Sequence, residues 1–143
     1  AYAFSEEGAG IDGKSFSLLP VEIFYRETGK TKKVTEYPCD GKLLKAAEQV
    51  KTKYHTGRGV IGSGDEWNNQ LDRIALLRER YHTAVEDMES AAAAQLCLSY
   101  GVPFLGVRIL SNSIVNGEKF DEAVGIDGQK FMLSLIDQMR EYM

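Results

Sequence analysis

The sequence predicts an α/β fold built on a mainly parallel sheet, and three observations predict it. Apolar runs of strand length alternate with stretches of helical periodicity through the second half of the chain. The clearest run, Pro103 to Leu110, is nearly all apolar, as expected of a strand covered on both faces. The interruptions fall at Gly, Pro and Ser/Asp turns rather than at repeats or low-complexity linkers, so residues 1–143 are expected to form a single domain.

The elements follow in order. Residues 1–13, with Gly8, Gly10 and Gly13, are expected to form a loop. Leu18 to Tyr25 is dense in β-branched and aromatic residues and predicts a strand. Glu27 to Lys30 is turn chemistry, with Lys30, Lys32 and Lys33 expected at a solvated hairpin tip, and Tyr37 to Gly41 breaks the chain again. Asp40 is placed to N-cap a helix over 42–53, with Leu43, Leu44, Ala47 and Val50 on one stripe. Gly59 to Gly62 predicts a short buried strand. Ser63 and Glu66 have the spacing of a capping box, expected to open a helix that buries Leu71, Ile74, Leu77 and Tyr81. Thr83 to Glu86 is a brief strand, followed by a small-residue helix over 87–100 that Gly101 closes in the left-handed conformation. After the Pro103–Leu110 strand, a last helix is expected over 128–143, with Phe131, Leu135, Ile136 and Met139 at helical spacing.

Composition removes several function classes. The 143 residues are 43% hydrophobic and carry 17 Lys+Arg against 21 Asp+Glu, a net charge of −4 that suits a soluble globular domain. A chain of this size buries roughly two-thirds of its unfolded surface, enough for a real core. A mildly acidic balance lacks the footprint of a nucleic-acid or anionic-membrane binder, so neither is an expected partner. No apolar run reaches the roughly 20 residues that span a bilayer. Cys39 and Cys97 are too few for a disulfide framework and lack metal-ligand spacing; Cys97, among alanines, reads as a small buried hydrophobe. Their separation suits a reducing cytosol, the expected location.

Ligands of open α/β sheets sit outside the carboxyl ends of the strands. Three predicted strands end in residues with chemistry: Ser63 to Asn68, which includes the lone Trp67; Glu86 to Ser90; and Ser111 to Ser113. Each has a plain structural counterpart. A single tryptophan packs in cores more often than it stacks on ligands, and Glu86, Asp87 and Glu89 would each complement a helix dipole by about 0.3–1 kcal/mol. Asn112 would serve as a turn residue, and His55 and His82 as surface residues. Arg108 is harder to dismiss, because a guanidinium inside an apolar run must be paired.

The string Ala84-Val85-Glu86-Asp87-Met88-Glu89-Ser90-Ala91-Ala92, followed by Cys97, Gly101-Val102-Pro103-Phe104 and Arg108-Ile109-Leu110-Ser111, closely resembles the purine nucleoside phosphorylase/nucleosidase superfamily. Ser63-Gly64-Asp65-Glu66-Trp67 and Phe120-Asp121-Glu122 also match, and within the superfamily the chain is most similar to the 5′-methylthioadenosine/S-adenosylhomocysteine nucleosidases. The likeness is close over residues 57–143 and loose over 1–56. It implies a three-layer fold, with helices flanking the sheet, and a small-molecule purine nucleoside as partner. It further implies N-glycosidic bond cleavage, a homo-oligomer, and no metal or organic cofactor, with phosphate a cosubstrate only in a phosphorylase.

The resemblance also implies roles. Glu89 looks like the carboxylate that takes both ribose hydroxyls, and Met88 like the residue under the sugar. Trp67 stands where the family places a ring on the purine, and Phe120 is similar to the aromatic that closes the site. Ser111 and Asn112 stand at the pair that addresses the base, and Arg108 is the candidate anion contact. The family's base-protonating acid is an Asp where this chain has Asn112. An amide donates but transfers no proton. Asn112 therefore points either to a 6-oxopurine phosphorylase or to a relative that binds nucleosides without turnover, as alternatives to the nucleosidase. The family's opening strands and water-activating glutamate have no counterpart in residues 1–56, so the chain is expected to be the C-terminal portion of a domain that a missing N-terminal segment completes. A leader in that segment would redirect the protein to export.

Overall fold

Strand and helix alternate as the sequence implies, but several helix boundaries differ, the expected Pro103–Leu110 strand does not form, and the strand expected over Leu18–Tyr25 is split between Ser17–Leu18 and Val21–Tyr25 in different sheets. The computed structural model describes residues 20–140 in full and the backbone of residues 2–5 and 17–18. Residues 2–5 of the expected 1–13 loop form a strand instead; Gly8, Gly10 and Gly13 of that loop, Leu19 of the first expected strand, and the last three residues of the expected final helix lie outside the described residues.

Six strands are described: β1 (Tyr2–Ser5), β2 (Ser17–Leu18), β3 (Val21–Tyr25), β4 (Lys30–Val34), β5 (Val60–Ser63) and β6 (Thr83–Asp87). The helices are α1 (Gly41–Gln49), α2 (Leu71–Tyr81), α3 (Ser90–Tyr100) and α4 (Glu122–Arg140). A four-stranded sheet runs in the order β2-β1-β5-β6. Its β1–β5 and β5–β6 pairs are parallel, and β2 is antiparallel to β1. Mixed α/β architecture on a mainly parallel sheet is therefore what the chain adopts. Strands β3 and β4 form a separate antiparallel ribbon, turned at Gly29 with φ 64°. Lys30, Lys32 and Lys33 are exposed as expected, yet they stand on β4 rather than at the tip.

Geometry also calls for glycine at Gly101 and at Gly59. Gly101 closes α3 with φ 67°, the left-handed region an L side chain enters at a cost. At Gly59 a Cβ would lie 2.6 Å from the Ala84 Cβ, where the β5–β6 register shifts at Val60/Ile61.

The apolar faces form two clusters. One joins Tyr37, Ala91 and Ala94, with Val34, Leu98 and Phe104 packed against it. The other joins Ala46, Val50 and Leu135, with Leu105, Val107, Phe131 and Met139 around it. A further tether links α4 to the chain after α1: Asp127 meets the Tyr54 hydroxyl and, at 3.0 Å, the Lys53 ammonium. The Tyr54 bond first and Lys53 second hold the Asp127 carboxyl down to about 2.

The expected strand at Pro103–Leu110 forms no ladder among the described residues. Pro103 has no N–H to give. The Phe104 carbonyl instead accepts from Asp40 N–H at 2.7 Å, and Gly106 N–H donates to Cys39 Sγ at 3.4 Å. The segment still alternates as a strand does, Phe104 facing the first cluster and Leu105 and Val107 the second. Only residues 104–107 are half-buried, and Arg108 to Leu110 are exposed, so coverage on both faces does not hold. Apolar content marked the half-buried stretch 104–107, and the hydrogen-bond partner came from a loop.

Helix ends moved as well. Asp40 caps α1 as expected, its Oδ1 accepting from Lys42 and Leu43 N–H, but the helix stops at Gln49 with Val50 extended. The Ser63/Glu66 capping box does not form. Ser63 is the buried end of β5, residues 64–70 are a loop, and α2 starts after Gln70 without a side-chain cap. Glu66 pairs instead with Arg73 at 3.6 Å. Helix α4 starts at Glu122, six residues before Gly128, because the Asp121 carboxylate accepts Ala123 N–H at 2.9 Å and opens it earlier.

Leu135 is 1% exposed where α4 meets α1. Leu135→Ala is expected to lower stability by about 2–5 kcal/mol, read from the urea midpoint at unchanged slope.

Candidate functional site

The parallel register of β5 and β6 sets Ser63 beside Asp87 at the carboxyl ends of two adjacent strands. Ser63 Oγ donates to Asp87 Oδ1 at 2.6 Å and accepts Ala91 N–H at 3.0 Å. Asp87 Oδ1 also accepts Ser90 N–H at 3.2 Å, and its Oδ2 accepts the Ser90 hydroxyl and the Nε and Nη2 of Arg108. The first two amides of α3, which have no partner within the helix, are thus satisfied from the ends of two strands. Glu89 stands at the N-cap position yet makes no capping bond. Its side chain is 71% exposed, and its carboxylate accepts Met88 N–H at 3.3 Å. A helix start capped from elsewhere leaves its N-cap carboxylate open to a ligand.

Charge is arranged to match. Burial pushes the Asp87 carboxyl up, but the Ser63 and Ser90 hydrogen bonds and the Arg108 charge outweigh it, and the net shift is downward. The pairing that Arg108 demands is met here. Its Nη1 donates to its own Val107 carbonyl at 2.9 Å, and its Nη2 stops 3.9 Å from the Glu89 carboxylate.

The remaining site residues cluster less tightly. Ser111 Oγ donates to Asn112 Oδ1 at 3.1 Å, which engages the acceptor end of the amide and leaves its NH₂ as the end offered to a ligand. Asp121 N–H donates to the Ser111 carbonyl at 3.1 Å, which ties this pair to the start of α4. Trp67 lies on the loop after β5, 67% exposed, and Asn68 beside it donates to Glu86 at 2.9 Å. Phe120, on the loop before α4, is 68% exposed, and Met88 is 48% exposed. The structure therefore brings Arg108 to Glu89 and Ser111 to Asn112, while Trp67 and Phe120 stand in solvent on their own loops. An open apolar groove of about 550 Å³ runs between residues 107–109 and α4, lined by Ile109, Met132, Leu133 and neighbours that include Arg108 but no carboxylate or hydroxyl. It lacks the converging polar groups that orient a nucleoside.

A family model described as the phosphorylase superfamily matches residues 12–139. The chain belongs to the phosphorylase superfamily. Among curated proteins it is similar to a 5′-methylthioadenosine/S-adenosylhomocysteine nucleosidase of Bacillus pumilus, 35% identical over 131 residues, which cover 84% of this chain and 56% of the relative. Proteins of the same name from Aeromonas salmonicida and Geobacillus kaustophilus are 32% and 30% identical, covering 82% and 73% of this chain and 54% and 48% of their own lengths. The chain spans about half the length of the curated relatives it matches.

In the sequence Asp87 is one of three dipole-complementing acids, and the structure makes it the most heavily bonded of them. A signal was present. An Asp ending an apolar run, three residues before a Ser that starts a helix, is the spacing of a side chain capping the helix from outside.

Ser63→Ala removes the donor to Asp87 and the acceptor for Ala91 N–H together. The variant is expected to lose about 1–3 kcal/mol in denaturant unfolding, because both groups left behind are buried.

Proposed function

We propose that the protein of which this chain is a part hydrolyses the N-glycosidic bond of a purine nucleoside of the methylthioadenosine/adenosylhomocysteine type. The observation that carries this is the Glu89 carboxylate, exposed at the start of α3 just past a parallel strand, making no capping bond and joined to Arg108 only by a long ion pair at 3.9 Å. Superfamily membership and the names of the relatives support the same chemistry. Glu89 would accept hydrogen bonds from the ribose 2′- and 3′-hydroxyls, fixing the sugar and stabilising the positive charge that develops on it. Met88 would pack beneath the ring, with Trp67 and Phe120 folding in from their loops over base and sugar.

The C1′–N9 bond breaks with its electron pair going to the purine. A water oxygen bonds to C1′, and the proton it sheds is balanced by one taken up on the base. The Asn112 NH₂ would donate to the departing base at N7, lowering its charge without transferring a proton. The relative-without-turnover reading keeps one specific support: Asn112 stands where the family has its acid.

Base release from methylthioadenosine, adenosine and inosine, with and without phosphate, tests both readings. Adenine release independent of phosphate is expected, with Glu89→Ala slower by roughly 10²–10³-fold. Asn112→Asp is expected to raise turnover by roughly 10²–10⁴-fold. Wild-type rates in Glu89→Ala would overturn the assignment, and turnover found only in Asn112→Asp would make the protein a binder.

A further inference from the structure

The guanidinium of Arg108 stands between two carboxylates and is bonded to one of them. Asp87, its side chain 7% exposed, takes Nε and Nη2 on one oxygen, while Glu89 is left at 3.9 Å. Nη1 is turned back onto the Val107 carbonyl. The other Asp87 oxygen is held by Ser63 Oγ and Ser90 N–H, so the carboxylate cannot swing to follow a new partner without breaking the start of α3. Arg108 is therefore held by an acid that is itself fixed from two sides.

Released from Asp87, the arginine has two outlets. It could close the short gap to Glu89 and occupy the carboxylate meant for the ribose. Alternatively its fork could take a phosphate dianion, the geometry in which arginine binds oxyanions best. Either outcome opposes hydrolysis, the first by blocking substrate and the second by seating a competing nucleophile.

We propose that Asp87 is a specificity-determining positioning residue, which keeps Arg108 from both Glu89 and phosphate and so leaves water as the acceptor of the ribosyl group. The proposal rests on the hydrolytic reading for its consequence, but its physical content, an arginine withheld from anions, can be measured without turnover.

The test uses the full-length protein, its Asp87→Asn variant and the Asp87→Asn/Arg108→Gln double variant, with inorganic phosphate as probe. Melting temperature is followed against phosphate, with chloride at matched ionic strength as control. The unsubstituted protein is expected to show no shift beyond the chloride control. Asp87→Asn, which keeps the shape and an acceptor for Ser63, is expected to bind phosphate at least roughly tenfold more tightly, and the double variant to lose that gain. Nucleoside KM should rise in Asp87→Asn and recover in the double variant, which damage to the fold alone would not produce. Equal phosphate affinity in the unsubstituted protein and Asp87→Asn overturns the proposal, as does a gain that persists without Arg108. If Asp87→Asn does not fold, the Arg108 Nε–H resonance of the unsubstituted protein decides: unmoved by millimolar phosphate it supports the proposal, and displaced it overturns it. Absence of base release by the unsubstituted protein would count against the hydrolytic reading alone, since the phosphate shifts do not depend on it.

Discussion

A carboxylate at the end of a parallel strand serves only what lies within hydrogen-bond reach, and Asp87 reaches three things at once. It holds the last residue of the neighbouring strand through Ser63, the first turn of the next helix through Ser90, and a guanidinium from a third segment through Arg108. Each of those groups would otherwise be poorly satisfied at a sheet end. The order of elements around the candidate site follows from that single point: β5 and β6 are clamped in register, α3 begins without needing Glu89 as a cap, and Arg108 is drawn down beside the acid it must not seize. A depressed carboxyl has a definite pH consequence. The stability it contributes is fully present above the ordinary value of 3.8 and is lost as pH falls through the lower folded value.

The segment that carries Arg108 is placed by packing rather than by a ladder. Phe104 faces the cluster around Tyr37 and Ala91, and Leu105 and Val107 face the one around Ala46 and Leu135, so the segment lies between the two cores. Asp40 adds to this twice, its side chain capping α1 and its N–H reaching the Phe104 carbonyl. The approach of Arg108 to Asp87 thus depends on apolar residues from α1, α3 and α4. A core substitution there would be felt at the site through the position of one guanidinium.

Much of this was legible in the sequence because it is local. The αL glycine after α3, the Asp40 cap and the apolar face of α1 are each specified within a few residues, and each formed; on α4, Phe131, Leu135 and Met139 pack as expected while Ile136 is 47% exposed. Two failures were non-local. The Ser63/Glu66 spacing fits a capping box, but Ser63 is buried against Asp87, twenty-four residues on, and a hydroxyl engaged there cannot cap a helix. The apolar character of 103–110 was clear, while its hydrogen-bond partners, on the 39–40 stretch, have no trace in the segment itself. For the candidate site, Glu89, Met88 and the Ser111–Asn112 pair could be proposed from motif and order. The reason Glu89 is open could not, because it depends on which side chain caps the helix, and that is settled by the register of two strands.

Recognition of a sugar diol by a carboxylate requires that carboxylate to be ionised, exposed and not claimed by a cation. If Glu89 holds the ribose as proposed, Asp87 serves the last condition by taking the hydrogen bonds of Arg108 and leaving Glu89 only a 3.9 Å ion pair with it. A carbon-detected NMR titration of the side-chain carboxyl of Asp87 tests this most directly, with Asp87→Asn for assignment. The resonance is expected to titrate below the ordinary 3.8, reflecting its bonds to Ser63, Ser90 and Arg108. A midpoint at or above that value would mean that burial outweighs those bonds, that Arg108 is not held, and that Glu89 has no protection from it.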